Sequence, residues 1–312
     1  LASLPYPIWE QQMIPKTIRN AQLDILHATC NTAALLMSIP LVLTLHDIIY
    51  LEKLDIGGTW YQNFGNLYRR WVVPSAVQKA KAIITVSEFE KKVMLDRLQI
   101  PEDKIRVIHN AVHSRFNTCY LEDEVEGFRK SLRLPDKFTL FLGNTAPKKN
   151  TRNTIDAYTK YIVNATAPLP MVILDYPREM VLEQLHQSGY AALVNHFIFP
   201  GYIPPEQMPL MYNSATLFMY PSLRESFGLP ILEAMACGIP VITSNTSSMP
   251  EVAGAAAMLI NPLDVTDIAG AIEQVLSNEE QRSGMIIKGL KRAKAFTWRN
   301  AAMKLLDVYE SL

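Results

Sequence analysis

The sequence is short of cysteine, of net charge and of long apolar runs, and each shortage excludes a class of protein. Only Cys30, Cys119 and Cys237 occur in 312 residues. They are odd in number and widely spaced, so neither a disulfide framework nor a cysteine zinc site is expected, and a reducing cytoplasm fits. The 30 Lys and Arg residues are balanced by 30 Asp and Glu residues. A zero net charge argues against a general nucleic-acid binder. The most apolar run, 33–45, is broken by Pro40 and falls short of the ~20 residues that a membrane-spanning helix needs. There is no internal repeat and no low-complexity tract. His109 and His113 stand four apart, but no carboxylate or cysteine completes a ligand set, so no metal site is expected there.

What is present is a globular composition, 49% hydrophobic and 19% charged. The length points to two domains, because single cores rarely grow beyond ~250 residues. Apolar runs of strand length alternate with helical stretches, which predicts doubly wound α/β domains. In the first half the strands are expected at Leu23–His27, Leu41–His46, Ala82–Val86 and Ile105–Ile108, with helical character over Thr29–Ser38 and most of Asp55–Ala82. In the second half they are expected at Phe138–Leu142, Met171–Asp175, His196–Phe199, Leu217–Tyr220, Val241–Thr243 and Ala257–Ile260. Most of these runs are apolar throughout, as strands buried on both faces require. The expected division is 1–117, then 118–296, with 297–312 crossing back to the first domain.

The stretch Tyr220–Asn245, YPSLRESFGLPILEAMACGIPVITSN, reads as strand, loop, helix, strand. Pro230 suits a first helical turn, where its missing N–H costs nothing. Gly238 suits a left-handed cap. The N–H groups of Phe227, Gly228 and Leu229 are expected to point out of the helix start, which is an anion site. Two carboxylates flank it, Glu225 in the loop and Glu233 one turn into the helix. Earlier, the strand ending at Leu142 runs into GNTAPKKN. A turn at Gly143 followed by Lys148 and Lys149 before a helix makes a phosphate cradle, from close backbone approach and cationic charge. In the first half, His46-Asp47 follows an apolar run, at the carboxyl end of a strand where ligands gather in α/β sheets. Tyr68, Arg69, Arg70, Trp71, Lys79 and Lys81 make one helical segment basic and aromatic. That segment reads either as peripheral contact with a membrane surface or lipid-linked acceptor, or as an ordinary solvated face; the ordinary face weighs more.

Glu225-x7-Glu233, set in ESFGLPILEAMACGIPV, resembles the signature of the retaining nucleotide-sugar glycosyltransferases of family 4. The resemblance covers nearly the whole chain, with several motifs in the expected order. It implies the GT-B fold, two Rossmann-like domains facing a cleft. It implies transfer of a hexose from a GDP- or UDP-linked donor to a glycan or lipid-linked acceptor, with attack on the face that the leaving group departs from. By the same resemblance Glu233 holds the ribose, Lys149 and Lys148 hold the diphosphate, and Glu225 faces the sugar hydroxyls. His46 matches a histidine near donor sugar and acceptor, and Gly201 and Tyr202 lie in a stretch whose backbone holds the nucleobase. Where the family has arginine, Lys148 offers a point charge and loses bidentate grip.

No Asp-x-Asp motif stands in the second domain's cleft loops, so metal independence and no cofactor beyond the co-substrate are expected. PYPIWEQ near the start and TLHD after it suggest the enzymes of bacterial surface polysaccharide, with GDP-mannose the first choice of donor. A non-catalytic nucleotide-sugar-binding subunit, or a GT-B epimerase or phosphorylase, are the alternatives. Four strands are counted in the first domain against six in the second, and the family's opening strand with its glycine-rich turn has no match before Leu23. The expectation is therefore a longer protein, of which these residues are a part.

Overall fold

The computed structural model describes residues 5–52 and 60–312. They form two compact units, one of residues 1–109 with 299–312, the other of residues 110–298. Residues 55–59 of the expected helical stretch Asp55–Ala82 lie outside the described residues.

The first unit holds a four-stranded parallel sheet in the order β1 (Leu26–Ala28), β2 (Leu41–Thr44), β3 (Ala82–Thr85), β4 (Ile105–Val107). Leu26 pairs with Leu41, Val42 with Ala82 and Ile83 with Ile105. Side chains alternate across a strand, and the two faces are buried separately. Leu41, Leu43 and Ile83 join Val73, Ala76 and Val77 of helix α1 (Trp60–Lys79) and Met94 of helix α2 (Glu88–Leu98). Val42, Ala82 and Ile84 pack against Val308 and, at its margin, Ala301, Leu305 and Tyr309, all from the last helix of the chain, Trp298–Glu310. His27 adds a polar tie, with Nδ1 2.6 Å from the Tyr309 hydroxyl and Nε2 2.7 Å from the Thr44 hydroxyl.

Two expectations for this unit are corrected. The first strand starts at Leu26, not Leu23, where its N–H meets the Pro40 carbonyl at 3.0 Å; Leu23 is exposed. Residues 29–38 form bends and irregular backbone rather than a helix. Their backbone groups are taken by side chains instead: Gln11 Oε1 accepts from Leu35 N at 3.0 Å and Gln11 Nε2 donates to the Ala33 carbonyl at 3.0 Å. Local helical propensity yields to such contacts. The other strand ends differ by a residue or two.

The second unit holds six parallel strands: β5 (Thr139–Leu142), β6 (Met171–Leu174), β7 (Phe197–Ile198), β8 (Leu217–Tyr220), β9 (Val241–Ser244) and β10 (Met258–Ile260). Their order across the sheet is β10-β9-β8-β5-β6-β7. This is the doubly wound Rossmann order, and the chain reverses direction across the sheet between β5 and β8. A core including Phe141, Tyr158, Met171, Ile173, Leu217, Met219, Ile242 and Ile272 fills one face. In such a sheet a ligand crevice opens at the carboxyl ends of the two strands beside the reversal. The loops that leave those ends are 143–150 and 221–228.

Candidate functional site

Gly143 continues β5, its N–H donating to the Leu174 carbonyl at 2.9 Å. A Cβ there would lie 2.7 Å from Tyr176 Cβ and 3.2 Å from the Leu174 carbonyl oxygen. Glycine is required by the closeness of β6 and not by a special turn angle. The loop then folds on itself. Asn144 Oδ1 accepts from Ala146 N at 2.8 Å, and Thr151 Oγ1 donates to the Asn144 carbonyl at 2.7 Å. Pro147–Lys149 make one 3-10 turn that ends in Asn150, whose φ of 58° is left-handed. Asparagine tolerates that conformation better than most residues. Its buried amide donates to the Pro221 carbonyl at 3.0 Å and the Pro262 carbonyl at 2.6 Å. Leu223 N donates to the Lys148 carbonyl at 2.7 Å. The loop after β5 is thereby bolted to the loop after β8.

These ties bring Lys149 to Glu225, although 76 residues separate them. Lys149 Nζ donates to Glu225 Oε1 at 2.7 Å and to the Tyr220 hydroxyl at 2.9 Å, and lies 5.0 Å from the centre of the Tyr220 ring. Glu225 is 9% exposed and Tyr220 3%. Burial, followed by the Glu225 carboxylate, pushes the Tyr220 phenol far up, so it stays a neutral partner. The Glu225 backbone is held by hydroxyls that follow β9. Its N–H donates to Ser247 Oγ at 3.1 Å, and its carbonyl accepts from Ser247 Oγ at 2.6 Å and Ser248 Oγ at 2.9 Å. Ser248 Oγ also lies 2.9 Å from the Phe227 carbonyl.

Helix α3 (Leu229–Ala236) starts beside this pair. Gly228 precedes it at φ 98°, and a Cβ there would crowd Ile231 at 3.2 Å. Pro230 sits in the first turn and Gly238 follows the end at φ 72°, as the residue types imply. Phe227 anchors the entry, 3% exposed, edge-on to Phe296 at 5.8 Å. Glu233 lies half-buried one turn in and accepts from the Tyr212 hydroxyl at 3.3 Å. Burial pushes its carboxyl up to about 7, against the opposing pull of the Tyr212 hydrogen bond and the Arg115 charge.

The remaining residues of interest lie on these and other loops and elements. Lys148 is exposed, and its carbonyl is engaged in the loop tie. Gly201, at φ 87°, and the 75% exposed Tyr202 follow edge strand β7, two strands from β5. His46 belongs to the first unit, just past β2. Its N–H donates to Asn31 Oδ1 at 2.9 Å and its Nε2 lies 3.1 Å from the Thr29 carbonyl oxygen. Ser87 caps α2, its Oγ accepting from Glu90 N at 3.1 Å. Among the described residues, no group of three or more His, Cys, Asp and Glu side chains is placed to hold a metal ion, and no helix is long and apolar enough to cross a membrane.

Reading the sequence alone missed Tyr220, Asn150, Tyr212, Arg115 and the serine pair 247–248. The hydroxyl-rich run after β9 was a visible signal, because such a run at a strand's carboxyl end has backbone to hold. The pairing of Lys149 with Glu225, 76 residues apart, carries no such signal.

A family model described as "Glycosyl transferases group 1" matches residues 124–292, and one described as "Glycosyltransferase Family 4" matches residues 1–116. The O-antigen chain mannosyltransferase B of Escherichia coli is 33% identical over 239 residues, 76% of this chain and 62% of that protein. A serotype-specific mannosyltransferase WbdA of the same organism is 32% identical over 238 residues, 75% of this chain and 29% of that protein. The chain therefore spans less than two thirds of the length of these relatives. Among solved structures, a glycosyltransferase from Rickettsia africae superposes with a TM-score of 0.76 at 17% identity, over 100% of this chain and 83% of that one. Anabaena HepE in complex with UDP does so with a TM-score of 0.76 at 19% identity, over 96% and 82%.

Proposed function

The chain belongs to the group 1, family 4 glycosyltransferases, with the two Rossmann-like α/β units of the GT-B class, and from that premise we propose that it moves a hexose from a nucleotide-sugar donor to a glycan or lipid-linked acceptor. The observation that carries this reading is the convergence of Lys149, Glu225 and the start of α3 at the reversal of the second sheet. A cation, a carboxylate and a helix N-terminus there suit a sugar diphosphate: charge for the leaving group, an acceptor for sugar hydroxyls.

In this reading Lys149, with Lys148 and the backbone N–H groups of Phe227, Gly228 and Leu229, stabilises the departing diphosphate. Glu233 accepts hydrogen bonds from the ribose diol. The turn at Gly201 and Tyr202 carries the nucleobase. Glu225 meets the sugar hydroxyls, and His46 of the first unit serves the sugar and acceptor. The anomeric configuration is retained. The cationic work falls to lysines and a helix start, so transfer proceeds without a divalent cation or a further cofactor. Mannose from GDP-mannose is the preferred donor, supported by the mannosyltransferase names of relatives 33% and 32% identical. Assembly of a surface polysaccharide at the cytoplasmic side fits those names, and fits three cysteines that are all unpaired.

The test is a panel of GDP- and UDP-linked hexoses with mass measurement of products, with and without EDTA. Transfer from one donor, undiminished by EDTA and with retained configuration, is the expected result. Nucleotide binding without transfer from any donor would make the chain a binding subunit. Activity lost to EDTA and restored by magnesium or manganese would overturn the metal-independent mechanism.

A further inference from the structure

Glu10 is a carboxylate 2% exposed to solvent, in the first unit, that the reaction described above does not use. It lies in a π turn, Trp9–Met13, just ahead of Pro15. Proline has no N–H to give the preceding turn, and helices widen or kink at such points. Four side-chain donors converge on the carboxylate. Tyr6 and Thr32 hydroxyls donate to Oε1 at 2.8 and 2.6 Å, and the Tyr68 hydroxyl and Gln11 Nε2 to Oε2 at 2.6 and 3.1 Å. All are neutral. Among the described residues, no lysine or arginine is hydrogen-bonded to Glu10.

A buried carboxylate without a cation is costly to keep unless hydrogen bonds satisfy its oxygens. What these bonds hold is the segment after β1. Glu10 grips Thr32, and its neighbour Gln11 grips the Ala33 carbonyl and Leu35 N–H. Directly before Thr32 stands Asn31, whose Oδ1 accepts the His46 N–H, and three residues before it stands Thr29, whose carbonyl faces His46 Nε2. Burial, and then hydrogen bonding to Glu10, pushes the Tyr6 phenol up to about 12; the Tyr68 phenol moves up for the same reasons. Both therefore remain donors through the ordinary pH range.

We propose that Glu10 is a positioning residue for His46, acting through Thr32 and the 29–35 segment to fix the imidazole for the transfer reaction. The proposal rests on the assignment of His46 to the sugar and acceptor. Glu10 does not itself touch substrate. Glutamine at this place presents an amide N–H₂ to at least one hydroxyl that now donates, so the four-donor set cannot be satisfied without rearrangement.

The experiment compares Glu10→Gln, Glu10→Asp and Thr32→Val in the whole protein labelled with ¹⁵N-histidine, the His46 signals being assigned with His46→Gln. Glu10→Gln is expected to move the His46 ring-nitrogen signals while leaving those of His186 and His196 in place. Turnover in transfer should fall roughly 10- to 100-fold, the scale for a misplaced group near reacting atoms. Nucleoside diphosphate affinity, read by calorimetry, should hold. Glu10→Asp should recover part of the turnover. If Glu10→Gln does not fold, Thr32→Val, which removes a single donor, must move the same His46 signals. A lower melting temperature with His46 signals and turnover both as in the parent protein would reduce Glu10 to packing and overturn the proposal. Moved His46 signals together with full turnover in His46→Gln would keep the positioning and sink the role given to His46 in the reaction.

Discussion

Lys149 and Glu225 neutralise each other across 2.7 Å, so a diphosphate that takes Lys149 must draw it away from Glu225. A charge-assisted bond to phosphate is worth ~1.5–3 kcal/mol. Lys149→Ala should therefore slow transfer by roughly 10- to 150-fold with an unchanged circular dichroism spectrum; unaltered turnover would move the diphosphate site elsewhere. Glu225→Gln removes the competitor for Lys149, so turnover should fall while nucleoside diphosphate affinity holds or rises. Glu233→Gln should instead weaken that affinity. Calorimetry separates the two, and equal losses in both variants would defeat the division of roles. Glu233 also titrates. Its carboxyl is raised from 4.5 to about 7, mainly by burial. A group raised in the folded state adds stability below its unfolded value of 4.5, and that stability is lost as pH rises through about 7. Glu233→Gln should flatten this part of the profile in denaturant titrations between pH 5 and pH 8.

At the scale of elements, strands were the easiest to place, because buried parallel strands are apolar on both faces and stand out in the sequence. Helix α3 was legible from its punctuation, Gly228, Pro230 and Gly238. Residues 29–38 were not, because their backbone groups meet the Gln11, His46 and Lys79 side chains through tertiary contacts. Gly143 was legible as a site glycine for a different reason from the one that operates. Its need is the 2.7 Å approach to Tyr176 Cβ on the segment after β6. Gly143→Ala should accordingly cost about 1–3 kcal/mol through overpacking and lower the melting temperature by several degrees. A melting curve that coincides with the parent's would show that the loop shifts freely there.

For the molecule as a whole, the end of the chain matters to the sheet at its beginning. Residues 299–312 belong to the first unit, and Val308 seals Val42, Ala82 and Ile84. Removing residues 299–312 bares that face of the sheet. The first unit should then lose cooperative unfolding, while nucleoside diphosphate binding persists, because Lys149, Glu225 and Glu233 all lie in the second unit. Hydrogen exchange read separately for β2, β3 and the second sheet checks this; equal loss of protection in both units would mean that neither folds by itself.

The amino-acid sequence by itself determined the alternation of strand and helix and the family motif around Glu225 and Glu233. These rest on local periodicity, on punctuation by glycine and proline, and on residues close along the chain. Only the tertiary structure decided the order β10-β9-β8-β5-β6-β7 and, with it, which loops meet. That order places the ends of β5 and β8 side by side, so Lys149 finds Glu225 and Tyr220, and Ser247 and Ser248 find the Glu225 backbone. Glu10 likewise reads in the sequence as one acidic residue in an aromatic stretch. Its four neutral partners come from three separate segments of chain, and their meeting follows from packing that no local pattern encodes.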